Sequence, residues 1–142
     1  MAVNALIDTG VILALLDRTD PWHAASVDAY NRSQLPLLTT EAVLTEAFHL
    51  TYRNLRDVQG VWKLLRAGAI RMVPIEHDEL PQIQALMENY ADHPMDFADA
   101  TLVYVAARES MSLILTLDHD DFETYRIGGR RKFSILPDRT AK

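Results

Sequence analysis

The sequence predicts an α/β protein in which a central, mainly parallel sheet of about five strands is covered by helices on both faces. Short apolar runs of strand length alternate with longer segments of helical periodicity along the 142 residues. Hydrophobic residues make up 49% of the chain, and no linker, repeat or low-complexity segment divides it. We therefore expect one domain over residues 1–142.

The first quarter of the chain predicts a strand, two helices and the start of a second strand. AVNALID predicts a buried strand that ends at Asp8, and TGVILALLDRT then switches to helical spacing. Asp20 as N-cap and Pro21 at the first helical position predict the start of the second helix. The apolar run LPLLTT predicts the second strand.

The middle of the chain predicts three helices around a third strand. EAVLTEAFHLTYRNL predicts a helix capped by Thr39 or Thr40, and DVQGVWKLLRAG one that Asp57 caps and Gly68 ends. AIRMVPI predicts the third strand. Pro81 lies in the first turn of the next predicted helix, where proline is tolerated.

The last third completes the predicted sheet. PMDFADATLVYVAARES predicts a helix opened by Pro94, SLILTLD a strand that ends at Asp118, and KFSILP the fifth strand. Ligand sites in parallel sheets lie outside the carboxyl ends of the strands. Asp8 and Asp118 both stand at such ends.

Composition excludes several classes of function. Without cysteine, the chain has no disulfide, zinc–thiolate site or thiol nucleophile. A net charge of −6 argues against general nucleic-acid binding, so polyanion binding must depend on a local patch. We see no signal peptide and no transmembrane segment, and we expect a cytoplasmic protein.

The triplet Asp8-Thr9-Gly10 is also typical of retroviral-type aspartic proteases. Such a protease continues into further strands and is nearly all β. Here a helical pattern follows the triplet, so the predicted α/β architecture excludes that interpretation.

Acidic residues stand where apolar ones are expected. Leu102, Val103, Ala106 and Ala107 follow Asp99 on one helical face, which directs Asp99 toward the core. Asp96 precedes it by three residues on nearly the same side.

Glu46 is similarly flanked by Ala42, Val43 and Leu50. Neither Asp99 nor Glu46 has a Lys or Arg three or four residues away. A lone buried carboxylate is costly unless it is paired or bound to a metal.

Four segments thus direct an acid to one place: Asp8, Glu46, Asp99 with Asp96 beside it, and Asp118. Clustered carboxylates repel each other without a counter-ion. A divalent cation resolves the repulsion, and all-oxygen ligands favour Mg²⁺ or Mn²⁺.

Each acid alone has a structural alternative. Asp8 can cap the first helix, Asp96 can be a first-turn acid favoured by the helix dipole, and Asp118 can cap the short helix DHDDFETY. Glu46 can pair with an arginine distant in sequence. The coincidence of four acids favours the metal site.

At these residues the chain resembles the PIN-domain family, and within it the VapC-type toxin ribonucleases. LIDTGVILALLD resembles the opening strand and helix, and TTEAVLTEAFHL, MDFADATLVYVA and ILTLDHDDF resemble the next three blocks. The resemblance assigns the metal site to Asp8, Asp99 and Asp118, with Glu46 and Asp96 as further candidates. Thr9 and Thr116 are supporting residues.

This resemblance implies a three-layer α/β/α fold and Mg²⁺- or Mn²⁺-dependent cleavage of RNA. It also implies a homodimer and an antitoxin protein as partners. We expect Asp8, Asp99 and Asp118 to hold the metal, and Glu46 to help bind it or to orient the attacking water.

There are three rival functions. A DNA or structure-specific nuclease on the same fold stays open, the intact acids argue against a non-catalytic binding module, and the third is a phosphoacceptor domain of response-regulator type. The last lacks an acceptor aspartate in AIRMVPIEHDE. The basic stretch Arg130, Arg131 and Lys132 is a candidate site for binding RNA phosphates or a solvated turn.

Overall fold

The computed structural model describes residues 4–142, so the predicted strand residues Ala2 and Val3 lie outside the described range. In chain order the elements are β1 (Asn4–Ile7), α1 (Thr9–Leu16), α2 (His23–Asn31), β2 (Gln34–Thr39), α3 (Glu41–Thr51), α4 (Leu55–Arg66), β3 (Ile70–Met72), a 3-10 turn (His77–Glu79), α5 (Leu80–Asn89), α6 (Phe97–Arg108), β4 (Leu113–Leu115), α7 (His119–Thr124), β5 (Arg126–Ile127), β6 (Arg131–Lys132) and β7 (Ser134–Leu136).

The central sheet has the strand order β3-β2-β1-β4-β7, and every neighbouring pair is parallel. The chain first builds outward from β1 to β2 and β3, and later returns to place β4 and β7 on the other side of β1. The order therefore reverses between β1 and β4, which is where open α/β sheets bind ligands. The predicted fold class and its five strands are confirmed.

Burial of β1 shows that both faces of the sheet are covered. Side chains of successive strand residues point to opposite faces, and Leu6 and Ile7 are both completely buried. In β4, Ile114 and Leu115 show the same pattern. Helices pack on both sides of the sheet, which gives three layers with the core on each face of β1 and β4.

Local signals fix several helix ends as predicted. The Thr40 hydroxyl caps α3 by accepting a hydrogen bond from the backbone N–H of Val43. Gly68, with a φ of +76°, follows α4 in a conformation that glycine adopts without steric cost. Pro81 lies in the first turn of α5.

Other predicted helix starts were wrong by a few residues. Helix α2 begins at His23, because the Asp20 carboxylate accepts the N–H of Trp22 in the turn before the helix. Asn54, rather than Asp57, caps α4. Helix α3 ends at Thr51, before the predicted end at Leu55.

Pro94 does not open α6. The helix begins at Phe97, and the Asp96 side chain caps it by accepting the N–H of Asp99. The start of α6 is therefore set by an aspartate cap, two residues beyond the proline that the sequence favoured.

No periodicity in the sequence predicted the small antiparallel hairpin formed by β5 and β6. Its turn contains Gly128 and Gly129, with φ values of +60° and +77°. These left-handed conformations are strained for other residues, so the glycine pair makes the tight reversal possible. Among the described helices, none combines the length and the apolar character needed to cross a membrane.

Candidate active site

Asp8 is the first residue after β1, and it also caps α1. Its Oδ1 accepts the backbone N–H of Thr9 at 2.8 Å, and its Oδ2 accepts the Thr116 hydroxyl at 3.0 Å. The side chain is almost completely buried, with 4% of the residue exposed. The role of Asp8 as a helix cap is therefore compatible with a role in the site. Its capping hydrogen bond orients the carboxylate at the carboxyl end of β1.

Asp99 lies in the first turn of α6 and is 8% exposed. Its Oδ2 accepts the hydroxyl of Tyr125 at 3.0 Å. Leu102, Val103 and Ala106 on the same helical face are buried, as the helical spacing predicts. Ala107, the fourth residue named for that face, is exposed, because α6 reaches solvent near its C-terminus.

Asp118 follows β4 and stands at the N-cap position of α7, where its side chain is exposed and makes no capping hydrogen bond. Its backbone N–H donates to the Thr116 hydroxyl at 3.1 Å. Because the same hydroxyl donates to Asp8, Thr116 connects the ends of the two central strands. Its side chain is fully buried.

These three aspartates meet in space. One carboxylate oxygen from each of Asp8, Asp99 and Asp118 lies within 4.8 Å of the others. They come from β1, α6 and the β4–α7 loop, at the point where the strand order reverses. An all-carboxylate donor set at this spacing fits a hard divalent cation such as Mg²⁺ or Mn²⁺.

The electrostatics of the cluster favour an added positive charge. Burial, together with the charge of Asp118, raises the pKa of Asp8 to about 7, although the Thr9 N–H opposes the shift. Burial, together with repulsion from Asp8 and Asp96, raises the pKa of Asp99 to about 8. Asp118 is exposed on one side, but its partial desolvation within the cluster, together with the charge of Asp121, raises its pKa. A bound cation would favour the ionised form of all three.

Glu46 and Asp96 stand beside this group rather than in it. Glu46 is half-buried in α3, and its charge helps to raise the pKa of Asp8 and Asp118. With Asp96 and Phe97 it lines a groove of about 670 Å³.

The predicted apolar face around Glu46 is only partly present. Leu50, one of the residues cited for that face, is 59% exposed, because α3 ends one residue later and its last turn leaves the core. Asp96 is exposed and caps α6, which agrees with its structural alternative as a helix-start acid.

Thr9 supports the site from the side of α1. Its backbone N–H donates to Asp8, and its hydroxyl donates to the carbonyl oxygen of Val43 in α3 at 3.4 Å. This bond joins the helix that follows Asp8 to the helix that carries Glu46.

The basic stretch does not join the acids. Arg130, Arg131 and Lys132 are exposed on the β5–β6 hairpin. Gly128 and Gly129 of that hairpin share a cavity with Ala107 and other residues of the C-terminal half of α6. Asp99 and Ala107 are eight residues apart, so this part of α6 lies about 12 Å along the helix from the carboxylates.

Tyr125 contacts the site, although it was not among the residues predicted from the sequence. Its hydroxyl bonds Asp99, and its ring packs edge-on against Phe122. The spacing of Phe122 and Tyr125 in a short helix indicates two core residues. Nothing in that spacing reveals that the tyrosine hydroxyl reaches an aspartate 26 residues earlier in the chain.

Comparisons with known proteins give the family and the fold of this chain. A family model described as the PIN domain matches residues 5–127. Ribonuclease VapC26 of Mycobacterium tuberculosis (strain ATCC 25618 / H37Rv) is 30% identical in an alignment that covers 93% of this chain and 99% of that protein.

Among solved structures, the crystal structure of Mycobacterium tuberculosis VapC20, described as a Sarcin-Ricin loop cleaving toxin, matches with a TM-score of 0.68. The match covers 80% of this chain and 87% of that chain at 17% identity, and at that identity it supports the fold alone. The family match spans most of the chain and includes Asp8, Asp99 and Asp118. The chain belongs to the PIN-domain family.

Proposed function

We propose that this chain is a metal-dependent endoribonuclease and the toxin component of a type II toxin–antitoxin system. One observation carries the proposal: three carboxylates from separate segments meet within 4.8 Å at the reversal point of the sheet. The similarity to a protein named Ribonuclease VapC26 supports RNA as the substrate class.

Asp8, Asp99 and Asp118 would hold Mg²⁺ or Mn²⁺, directly or through water. A divalent cation bound there supplies an activated water and positive charge for the hydrolysis of a phosphodiester. Thr9 and Thr116 fix both oxygens of Asp8, which keeps that carboxylate oriented. Asp96 caps α6 and so holds the helix turn that carries Asp99.

Glu46 lines the same groove as Asp96. From there it can bind the cation or accept a hydrogen bond from the attacking water and so orient it. In this scheme the water attacks the phosphate directly, and no covalent enzyme intermediate forms.

The experiment that tests the function compares RNA and DNA of one sequence, each with Mn²⁺ and with chelator. We expect the RNA to be cleaved with Mn²⁺ and to stay intact with chelator. We expect Asp99→Asn to lose the cleavage seen with Mn²⁺. Cleavage of DNA in preference to RNA would favour the rival nuclease. Absence of cleavage in every arm would favour the non-catalytic binding module.

We also propose an antitoxin protein and a second copy of this chain as partners, in the cytoplasm. Large exposed apolar side chains at the end of α3 and along α4 support a protein-binding surface there: Leu50, Tyr52, Leu55 and Trp62. Co-purification with the product of the neighbouring open reading frame tests the first partner. Light scattering of the purified chain tests the second.

A further inference from the structure

Within residues 4–142, the Tyr125 hydroxyl is the one group that donates a hydrogen bond to the Asp99 side chain. It follows α7 directly and is completely buried. Its hydroxyl donates to Asp99 Oδ2 at 3.0 Å. The bond joins the segment after Asp118 to the helix that carries Asp99.

Three aromatic neighbours fix the ring that carries this hydroxyl. Phe122 and Tyr90 meet it edge-on with ring centroids 5.2 Å away, and His93 meets it edge-on at 5.9 Å. The imidazole of His93 is itself held by Asp121, with Nε2 2.8 Å from Oδ1. A phenol enclosed in this way has little freedom to move its hydroxyl.

An aspartate side chain, by contrast, rotates readily about its last bond, because that torsion has broad energy minima. At Asp8 two donors, Thr9 and Thr116, occupy one oxygen each. At Asp99 the Tyr125 hydroxyl is the corresponding donor. Outer partners of this kind orient metal-binding carboxylates and raise metal affinity.

We propose that Tyr125 is a positioning residue that holds the Asp99 carboxylate in the orientation needed to bind the divalent cation. This inference rests on the proposed function, since it presupposes a metal bound by Asp99. Tyr125 acts through Asp99 and has no contact with the RNA in this scheme.

The test replaces only the hydroxyl. Tyr125→Phe keeps the ring and its packing, so its melting temperature in chelator should stay close to that of the wild type. Its dissociation constant for Mn²⁺, measured by electron paramagnetic resonance of the free ion, should rise roughly 10- to 100-fold. The Mn²⁺ concentration that half-activates RNA cleavage should rise by the same factor.

Tyr90→Phe is the matched control. Tyr90 belongs to the same aromatic group, but its hydroxyl accepts the backbone N–H of Arg126 and does not contact the acids. Its removal should leave Mn²⁺ affinity unchanged. Weaker Mn²⁺ binding in both variants would assign the effect to packing and overturn the positioning role.

The outcomes separate this inference from the function it rests on. Wild-type Mn²⁺ affinity in Tyr125→Phe overturns the inference and leaves the ribonuclease proposal standing. If the wild-type protein binds Mn²⁺ but cleaves no RNA, the proposed function is overturned. Reduced Mn²⁺ affinity of Tyr125→Phe in that case still supports the positioning role. A wild-type protein that binds no Mn²⁺ overturns both.

Discussion

Helix α6 has a carboxylate–tyrosine hydrogen bond near each end, and the two ends differ in charge. In its first turn Asp99 accepts the hydroxyl of Tyr125. Near its C-terminus the Tyr104 hydroxyl donates to Glu79. Arg108 donates to the same Glu79 carboxylate at 3.0 Å, whereas the charged groups that shift the pKa of Asp99 are all acids.

The two carboxyls respond in opposite directions. The Glu76 N–H, the Tyr104 hydroxyl and Arg108 lower the pKa of Glu79 to about 2. Burial and neighbouring aspartates raise the pKa of Asp99 to about 8, despite its tyrosine donor. A tyrosine hydroxyl alone therefore does not stabilise a buried carboxylate. The fold supplies the counter-charge at Glu79, and at Asp99 it leaves a place for one.

The largest expected effect is on cleavage. Asp99→Asn should slow RNA hydrolysis by roughly 10²-fold or more, because removing a ligand has a larger effect than removing an outer partner of one. Glu79→Gln should cleave at the wild-type rate. It should melt lower, since it loses the charge that pairs with Arg108 in a partly exposed ion pair.

Cleavage assays on both variants, purified free of contaminating nuclease, decide this contrast. Undiminished cleavage by Asp99→Asn would remove Asp99 from the site. A large decrease in Glu79→Gln would show that the paired end of α6 also serves catalysis.

The next effect is on stability in the presence of metal. At about 100 times its dissociation constant, Mn²⁺ should stabilise the wild-type protein by ~2.7 kcal/mol through mass action. Asp99→Asn should be stabilised much less, and Glu79→Gln as much as wild type. Thermal melts at neutral pH with Mn²⁺ and with chelator measure these differences. Equal metal shifts in all three proteins would mean that Asp99 is not a ligand.

Apolar runs in the sequence mark the five strands and their ends, and so they predict that Asp8 and Asp118 lie at one edge of the sheet. The sequence also places Asp99 on the buried face of α6, where the spacing of Leu102 and Val103 is visible. These are local patterns, and the periods of strand and helix reveal them.

The remaining features depend on contacts between distant residues. The Tyr125–Asp99 bond spans 26 residues and the Thr116–Asp8 bond spans 108. No periodicity encodes such a pairing. For Glu46 the local pattern was misleading. Helical spacing places Leu50 on the same face as Glu46, but the sequence does not show that α3 ends at Thr51, where its last turn leaves the core.

A smaller effect is expected on the pH dependence of stability without metal. The folded pKa values of Asp8 and Asp99, about 7 and about 8, lie above the unfolded value of 3.8. Between these values the unfolded chain therefore binds fewer protons, and the free energy of unfolding falls as pH rises. The lowered pKa of Glu79 acts in the opposite sense: its contribution is present above 4.5 and disappears as pH falls toward 2.

Melts in chelator across this range should separate the two ends of α6. In Asp99→Asn the free energy of unfolding should fall less as the pH rises toward about 8. At that pH the variant should be more stable than wild type by ~1 kcal/mol. Glu79→Gln should leave the alkaline part of this pH dependence unchanged. It should instead reduce the loss of stability at acid pH. If Asp99→Asn melts lower than wild type at the alkaline end, Asp99 is a hydrogen-bonded core residue rather than an unpaired acid of a metal site.

The smallest expected effect concerns the basic hairpin beside the C-terminal half of α6. Arg130, Arg131 and Lys132 are exposed, and within residues 4–142 none of them forms an ion pair, so they can bind phosphates without first breaking one. An RNA strand bound at the carboxylates needs to extend only about 12 Å along α6 to reach that end of the helix.

Replacing these three residues with alanine should weaken RNA binding and reduce the slope of log affinity against log salt by ~0.7 for each phosphate that the hairpin no longer neutralises. The acid cluster and Mn²⁺ affinity should be unaffected. Three exposed cations of α4 give a control with the same change in net charge: Arg56, Lys63 and Arg66. If both triple variants change the slope equally, the hairpin acts only through net charge, and the RNA path does not follow α6.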